Sequence, residues 1–234
     1  ILQVILDNKQ LIVLNTNSQF ATKNLQGRSC MLDAKCQLED GRIVNIEVQR
    51  ADDDDHQRRV RYNGALLTTN LTNPSTKFAE IPDVIVVFIS KFDVFKSSRP
   101  LYHIDRVIRE TGKAVDNGFE EVYVNAEIDD DSDVARLMNV FNTDTAYDDV
   151  KFPVTSAYKR RYKTTEEGVR EMCEVIERNR AEGRAEGRAI GLIEGKAELI
   201  TNMLKNQMKP EQIAKIANMT VEQIISIGKK AAVL

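Results

Sequence analysis

Residues 30–49 read CMLDAKCQLEDGRIVNIEVQ, two strand-like runs at 30–38 and 42–49 that are joined by Glu39-Asp40-Gly41. A three-residue loop ending in glycine is a favoured connection between antiparallel strands, because its last position needs the left-handed backbone that glycine readily adopts. With this loop Leu38 lies opposite Arg42, which fixes every other pair. The sequence therefore predicts a β-hairpin of defined register.

This register separates the hairpin into two faces. One face carries only apolar side chains, with Leu32 opposite Val48, Ala34 opposite Ile46, and Cys36 opposite Val44. A two-residue loop would shift the pairing by one residue and mix the faces, so the burial pattern selects the longer loop. On the polar face, Asp33 lies opposite Glu47. Like charges that oppose each other directly are destabilising unless a cation or a proton lies between them.

The facing carboxylates allow two interpretations. Hard oxygen donors about 5 Å apart suit Mg²⁺ or Mn²⁺, and Gln49 on the same face could bond a metal-bound water. A face of Asp, Lys, Asn, Glu and Gln is also what an ordinary exposed hairpin turns to solvent. On the pattern alone the solvated face is the more common case, so both interpretations stay open.

The segments around the hairpin predict an α/β domain over residues 1–155. Apolar runs predict further strands at 11–14, 83–89, 101–108 and 120–125, with a polar loop after residue 14. The run 83–89 has the composition of a strand buried on both faces. Helical spacing predicts helices at 52–70 and 132–142. From residue 156 to residue 234 the chain has the pattern of a helical extension.

The charge of the chain is nearly balanced, with 33 Lys and Arg against 36 Asp and Glu. This excludes a protein uniformly coated in positive charge for binding nucleic acid. Residues 116–149 hold eleven acidic side chains and one basic side chain, Arg136. We expect this segment to be a solvated face turned away from nucleic acid. Metal chelation by the acids of 129–133 is the alternative, although the calcium-loop glycine and final glutamate are missing.

The cysteines and the chain start bear on the cellular location. Cys30, Cys36 and Cys173 are too scattered for a disulfide framework or a zinc site, which favours a reducing compartment such as the cytoplasm. No apolar stretch is long enough for a transmembrane helix, and no signal peptide is evident. Because Ile1 opens an apolar helical pattern without a methionine, we expect the natural N-terminus to lie upstream.

The helical extension contains a repeat, AEGR at 181–184 and 185–188, with glycine continuing at Gly191 and Gly195. Glycines four residues apart form a slowly winding smooth stripe on a helix. We expect this stripe to pack closely against a second copy in a homodimer, with a semi-flexible charged spacer as the alternative. Two short helices are predicted from 210 to about 230. We interpret them as a packing module rather than a helix-turn-helix reader of DNA bases.

The hairpin and later segments together resemble the PD-(D/E)XK nucleases, in the branch described as recombination-promoting nucleases or transposases. Asp33 followed by Glu47-Val48-Gln49 resembles its D…E-x-Q motif, which has glutamine where the wider superfamily has lysine. Residues 41–49 resemble its DG…NIEMQ strand, and Arg59 with Tyr62 its R-x-x-Y helix. The resemblance continues through residues 81–89 and 102–112, the glycine repeat, and the sequence PEQIAKIANMTVEQI at 210–224.

This resemblance implies a restriction-endonuclease-like mixed sheet with flanking helices, and hydrolysis of DNA phosphodiesters with Mg²⁺ or Mn²⁺. Asp33 and Glu47 would be metal ligands, with the Val48 backbone carbonyl as a third. Gln49 would take the lysine position and orient the attacking water. Because glutamine is neutral, the metal must supply more of the charge that stabilises the transition state.

Further residues are candidates for bracing the site or contacting DNA. The resemblance gives this role to Arg59 and Tyr62, with simple packing of their helix as the alternative. Lys35 could place charge beside the metal or lie in solvent. The segment YKRRYK at 158–163 alternates aromatic rings with cations, as suits nucleic acid, or serves as a linker. Its candidate DNA contacts are Lys159, Arg160 and Arg161.

The leading prediction is a cytoplasmic, magnesium-dependent DNA endonuclease. The alternative is a catalytically inactive protein that keeps the fold to bind DNA or protein. Asn63 stands where the family often has a second tyrosine, and the N-terminal helix of the family is shortened here. The acids at 52–55 are interpreted as a loop and helix N-terminus, where the helix dipole favours negative charge. We expect structural roles for His56 and His103.

Overall fold

The structure is a computed structural model that describes residues 1–22, 29–53 and 55–231. The chain divides into two compact units, Ile1–Ala157 and Tyr158–Leu234. The strands are β1 (Val13–Thr22), β2 (Cys30–Leu38), β3 (Ile43–Gln49), β4 (Val84–Ser90), β5 (Leu101–Ile104), β6 (Arg106–Val107), β7 (Ala114–Val115) and β8 (Phe119–Asn125). The helices are α1 (Leu2–Ile5), α2 (His56–Leu71), α3 (Asp133–Asn142), α4 (Pro153–Thr164), α5 (Glu166–Lys205), α6 (Pro210–Ala217) and α7 (Val221–Lys230), with a short 3₁₀ helix at Phe78–Glu80.

The first unit is built on a mixed six-stranded sheet of order β1-β2-β3-β4-β8-β5. β1, β2 and β3 form an antiparallel meander, whereas β4 is parallel to β3 and to β8, and β5 is antiparallel to β8. The parallel pair β3–β4 is connected through α2. This arrangement confirms the predicted fold class, a restriction-endonuclease-like α/β core with a mixed sheet and flanking helices.

Apolar side chains cover both faces of the central strands. On one face, α2 contributes Val60 and Leu67 to a cluster with Val86 and Phe88 of β4. On the other face, α1 and α3 pack onto a second cluster that includes Val44, Ile85, Val122 and Leu137. Because β4 is buried on both sides, its sequence is almost continuously apolar, as the prediction for this strand required.

The predicted register of the hairpin is confirmed over four pairs. They are Ala34 with Ile46, Lys35 with Asn45, Cys36 with Val44, and Gln37 with Ile43. Gly41 has φ +91°, and its N–H donates to the carbonyl of Leu38 at 3.1 Å. The left-handed glycine therefore sets the pairing of the strands, as the three-residue loop predicted.

The prediction that Leu32 faces Val48 on the apolar side is wrong. Leu32 is fully buried in the cluster beneath α2, and the Val48 side chain is 53% exposed. The β1–β2 ladder pairs Ser18 with Ala34 and Phe20 with Leu32 but leaves out the pair between them, Gln19 with Asp33, and Gln19 has φ +52°. The regular alternation of side chains is interrupted at that point, so Leu32 turns to the α2 side.

Two further boundaries differ from the sequence prediction. The polar stretch after residue 14 is not a loop, because β1 runs from Val13 to Thr22 and pairs with β2 along its length. Its polar side chains suit an edge strand that is largely exposed. The single strand predicted at 101–108 is divided into β5, which joins the main sheet, and β6, which pairs with β7 in a separate hairpin.

The second unit contains the long helix α5 and the pair α6–α7. Ile200 and Leu204 of α5 pack against Ile213 of α6 and Ile224 of α7. α7 begins with a capping box, in which Thr220 and Gln223 bond each other's backbone N–H. These contacts agree with a packing module.

The glycine repeat lies within α5. Gly183, Gly187 and Gly191 lie outside the residues whose surroundings the structure describes. Apart from its chain neighbours and the backbone of its own helix, a Cβ atom placed on Gly195 would have no heavy atom within 4 Å among the described residues. The close packing expected for the stripe therefore stays a prediction.

The interrupted alternation at Leu32 predicts unequal effects of two substitutions. Leu32→Ala removes a fully buried side chain and should lower the free energy of unfolding by about 2–5 kcal/mol. Val48→Ala should change it by less than about 1 kcal/mol, because that side chain is mainly exposed. Urea unfolding of both variants measures the difference. Equal losses would mean that the two residues share one buried face, as a regular hairpin requires.

Candidate active site

The polar face of the hairpin is buried at two residues of β3. Asn45 has no exposed surface and Glu47 is 1% exposed, because both side chains lie on the face of β3 that α2 covers. The alternative of a solvated hairpin face is therefore wrong for these two residues. The sheet places Glu47 and Gln49 at the carboxyl end of β3, next to the end of β4.

The carboxylate of Glu47 is only partly satisfied. Its Oε1 accepts a hydrogen bond of 2.9 Å from Asn45 Nδ2. Its Oε2 is buried and has no hydrogen-bond partner among the residues that the structure describes. Arg59 Nη2 is 3.6 Å from Oε2, which is an ion pair at long range. A buried oxygen without a partner carries an energetic cost that a cation or a proton would relieve.

The environment of Glu47 favours its protonated form. Burial, with a further contribution from the nearby Asp33 carboxylate, raises the pKa of Glu47 to about 7. Asn45, Arg59 and Asn63 act in the opposite direction and do not compensate. Near neutral pH both the protonated and the ionised form of Glu47 are therefore populated, and only the ionised carboxylate is a good metal ligand.

Asp33 is attached to the strand that carries Glu47. Its Oδ2 accepts a 2.8 Å hydrogen bond from the backbone N–H of Val48, just beyond the last regular pair of the β2–β3 ladder. The N–H and C=O groups of one strand residue point to the same neighbouring strand. The Val48 carbonyl therefore lies on the Asp33 side of β3, so all three predicted ligands come from the open end of this ladder.

Gln49 is held in place by three hydrogen bonds. Its Nε2 donates to the carbonyl of Ala51 at 3.0 Å and to Asp53 Oδ1 at 3.2 Å. Its Oε1 accepts from Arg59 Nη1 at 3.1 Å. Arg59 thus contacts both Gln49 and Glu47, so its guanidinium fixes their relative orientation.

The start of α2 uses the neighbouring acids for structure. Asp55 caps the helix by accepting from the N–H of Arg58 at 3.0 Å, as expected for a helix N-terminus. Asp54 lies outside the described residues. His56 is buried and stacks on Phe92, and its Nε2 lies 3.1 Å from Asp52 Oδ1. These contacts agree with the structural role expected for His56.

The other candidate residues have different surroundings. The Lys35 ammonium lies over the ring of Phe20, 4.5 Å from its centroid. Tyr62 is half-buried on α2. Lys159, Arg160 and Arg161 lie on α4 in the second unit, where Arg161 pairs with Glu171 at 2.6 Å.

Two asparagines were missed as members of the site. Asn45 precedes Glu47 by two residues, so it shares a strand face with the carboxylate that it bonds. Asn63 follows Arg59 by four residues, so both project from the same side of α2. Asn63 is buried and lowers the pKa of Glu47. Only their spacing from Glu47 and Arg59 could have indicated these asparagines. Asparagine on a strand or helix has no sequence pattern that marks it as a site residue.

A divalent metal fits the donors of this site. The described residues contain no group of three or more His, Cys, Asp or Glu side chains that could hold a metal, and this includes the acids of 129–133. Mg²⁺ commonly uses one or two carboxylates and keeps several waters. Asp33 and Glu47 match that requirement, and the Oε2 of Glu47, which accepts no hydrogen bond within the described residues, is the observation that favours a cation there.

The mixed sheet and the D…E-x-Q residues agree with a PD-(D/E)XK core. The family model for PD-(D/E)XK nuclease family transposases matches residues 1–133, and the chain belongs to this family. No curated protein and no solved structure gives a significant match. Within the described ranges, no helix combines the length and apolar character that a membrane span needs.

The buried carboxylate predicts an unusual dependence of stability on pH. The pKa of Glu47 is raised in the folded state, so the metal-free protein loses stability as the pH rises from about 4.5 through 7. Glu47→Gln should remove this loss and be more stable than the wild type at pH 8 by about 3 kcal/mol, with little difference at pH 4.5. Urea unfolding in EDTA at both values measures this.

The matched control for this experiment is Glu39→Gln in the exposed turn of the hairpin. It makes the same chemical change without a buried group and should leave the pH dependence unaltered. If Glu47→Gln and the wild type lose stability in parallel as the pH rises, the carboxylate is not the source.

Proposed function

We propose that the protein is a divalent-metal-dependent DNA endonuclease that hydrolyses phosphodiester bonds at the Asp33–Glu47 site. The observation that carries this proposal is the buried Glu47 carboxylate, which has one oxygen without a hydrogen bond and a second carboxylate nearby. Both residues belong to the D…E-x-Q motif, and the chain belongs to a nuclease family. A nuclease acting on DNA in the cell would work in the cytoplasm, where the three free cysteines stay reduced.

In this mechanism Asp33, Glu47 and the Val48 carbonyl hold Mg²⁺ or Mn²⁺. A metal held by these residues would supply Lewis-acid activation of the phosphodiester and of the attacking water. Gln49 Oε1 accepts a hydrogen bond from the attacking water and so orients it toward phosphorus. Its amide nitrogen stays anchored to Ala51 and Asp53, which prevents the side chain from turning away.

Arg59 is proposed as the positioning residue of the site. It bonds Gln49 and pairs with Glu47, so it adds positive charge that the neutral glutamine lacks. In the absence of a metal, the carboxylates of Asp33 and Glu47 would repel a phosphate. This repulsion makes cleavage depend on the metal. Lys35 and Tyr62 are further candidates for contact with the phosphate or for bracing the site.

The helical extension is proposed to bind DNA and to form a homodimer. In this proposal residues 1–155 are the nuclease domain and residues 156–234 the extension. Lys159, Arg160 and Arg161 would contact the phosphate backbone. Val169, Met172 and Val175 are exposed apolar side chains at three-residue intervals on α5, which supports a face that packs against a second copy.

The second candidate function is a DNA- or protein-binding protein without catalysis. It is favoured by the neutral Gln49, whose amide nitrogen is already engaged by the loop at 51–53. Such a protein would bind partners with the same fold but would show no metal-dependent cleavage. Reading of DNA bases through α6 and α7 is less supported, because Ile213 and Ile224 are used for packing on α5.

A cleavage assay on supercoiled plasmid decides between catalysis and binding. The wild type should nick or linearise the plasmid with Mg²⁺ or Mn²⁺ and not with EDTA. Glu47→Ala and Asp33→Ala should each reduce the rate by on the order of 10³-fold, because each removes a proposed metal ligand. Glu39→Ala is the control at an exposed acid of the same hairpin. Equal cutting by the wild type and Glu47→Ala would contradict the site assignment.

The role of Arg59 is tested separately. Arg59→Ala should lower kcat by about 10- to 100-fold with a smaller change in KM, because Gln49 loses its orientation. Arg59→Lys should restore part of the activity, since it keeps the charge but not both contacts. Arg61→Ala, two residues further along the helix and exposed, should retain wild-type kcat. A main effect on KM would assign Arg59 to substrate binding instead.

A further inference from the structure

The loop of residues 91–99, between β4 and β5, starts beside the candidate active site. The backbone N–H of Lys91 donates to the carbonyl of Gln49 at 3.0 Å. The ring of Phe92 lies 4.8 Å from the ring of His56, at the first turn of α2. The loop is therefore attached both to the strand and to the helix that carry the site residues.

A single carboxylate organises this loop. Asp93 Oδ1 accepts from the backbone N–H groups of Phe95 and Lys96 at 3.0 and 2.9 Å, and Oδ2 accepts from that of Ser98 at 2.7 Å. The Tyr102 hydroxyl lies 2.8 Å from both oxygens. The Asp93 carboxylate is thus bonded to donors of the loop and to Tyr102.

The backbone of the loop is held in an unusual shape. Lys96 and Ser98 have φ values of +52° and +53°, which are uncommon for residues other than glycine. The ring of Phe95 packs against those of Tyr102 and Tyr123, each with centroids 5.0 Å apart, and so anchors the loop to the core. Residues in such conformations persist where the surroundings hold them, and they are frequent at functional sites.

The basic side chains of the loop lack the acidic ion-pair partners that Arg42 and Arg58 of the same unit have. Lys91, Lys96 and Arg99 are exposed, and among the described residues none of them forms an ion pair. By contrast, Arg42 pairs with Asp40 at 2.7 Å and Arg58 with Asp55 at 3.1 Å. The loop therefore presents three uncompensated positive charges on a fixed backbone.

We propose that the loop of residues 91–99 binds the phosphate backbone of DNA beside the Asp33–Glu47 site. Lys91, Lys96 and Arg99 would neutralise phosphates, and the order imposed by Asp93 would reduce the conformational entropy lost on binding. The inference rests on the proposed function, because it takes DNA as the substrate. It also explains how a chain of net charge −3 could hold an anionic polymer at this site.

The test measures binding of the full-length chain to a fluorescent DNA duplex in EDTA, by anisotropy, across a range of salt concentrations. Lys91→Ala/Lys96→Ala/Arg99→Ala should bind about 10- to 100-fold more weakly than the wild type at low salt. The slope of log K against log salt should decrease by about 2 to 3, or about 0.9 for each lost phosphate contact. Thermal midpoints of the variants verify that they are folded.

The matched control is Lys77→Ala/Arg109→Ala/Lys113→Ala, which removes the same charge. These residues are exposed. Phe78 and Ala114, the sequence neighbours of Lys77 and Lys113, line clefts at the amino ends of β4 and β8. The control should bind within about threefold of the wild type. Equal weakening of both triple variants, or wild-type binding by the loop variant, would overturn the proposal. Failure of the wild type to bind DNA would do the same.

A second variant tests the order of the loop. Asp93→Asn makes the chain more positive but weakens the bonds to the backbone N–H groups, because a neutral amide oxygen is a poorer acceptor than a carboxylate. Weaker DNA binding by this variant supports a preorganised loop. Tighter binding would show that charge alone governs affinity and would overturn the role assigned to Asp93.

The binding assay contains no divalent metal, so its result is independent of cleavage. If the loop variant alone loses affinity but the wild type does not cut DNA with Mg²⁺, the endonuclease proposal fails and the loop proposal stands. If the wild type cuts DNA and the loop variant binds and cuts like the control, only the loop proposal fails.

Discussion

The burial of the Glu47 carboxylate is the constraint on which the site depends. The side chain lies between the sheet and α2, where it is bonded on one oxygen by Asn45 and faces Arg59 at longer range with the other. A charge in such a place is costly unless it is paired. The surrounding amides and the guanidinium reduce this cost without removing it, since the pKa of Glu47 stays at about 7. The local fold therefore surrounds a carboxylate whose ionised form would be stabilised by a nearby cation.

The hairpin register could be predicted from the sequence because two independent signals agree. Gly41 supplies the left-handed position of the loop, and strict alternation allows only one pairing that keeps the apolar residues together. The break at Asp33 could not be predicted in the same way. It lies where Asp33 and Gln19 of β1 drop out of the β1–β2 ladder, and pairing with a distant strand leaves no local pattern in the sequence.

The candidate site was predictable in its residues but not in its burial. The motif predicts Asp33, Glu47 and Gln49 as site residues, and the structure bonds Asp33 of β2 to the Val48 N–H, between Glu47 and Gln49 at the carboxyl end of β3. Tertiary packing determines which face of the hairpin α2 covers. The sequence of a polar strand face does not indicate that a helix will cover it. The roles of Asn45 and Asn63 could not be predicted for the same reason, because these amides stabilise the Glu47 carboxylate only when α2 packs on the sheet.

The hydrogen bond from the Val48 N–H to Asp33 means that Asp33 and Glu47 contribute differently to the stability of the fold. Asp33 takes the place of a missing backbone acceptor at the end of the β2–β3 ladder, so its loss leaves the Val48 N–H without that bond. Loss of Glu47 instead relieves a buried charge. The two positions therefore carry different structural constraints: replacing Glu47 removes a buried charge together with the acceptor of Asn45, whereas replacing Asp33 removes a bond that holds β2 to β3.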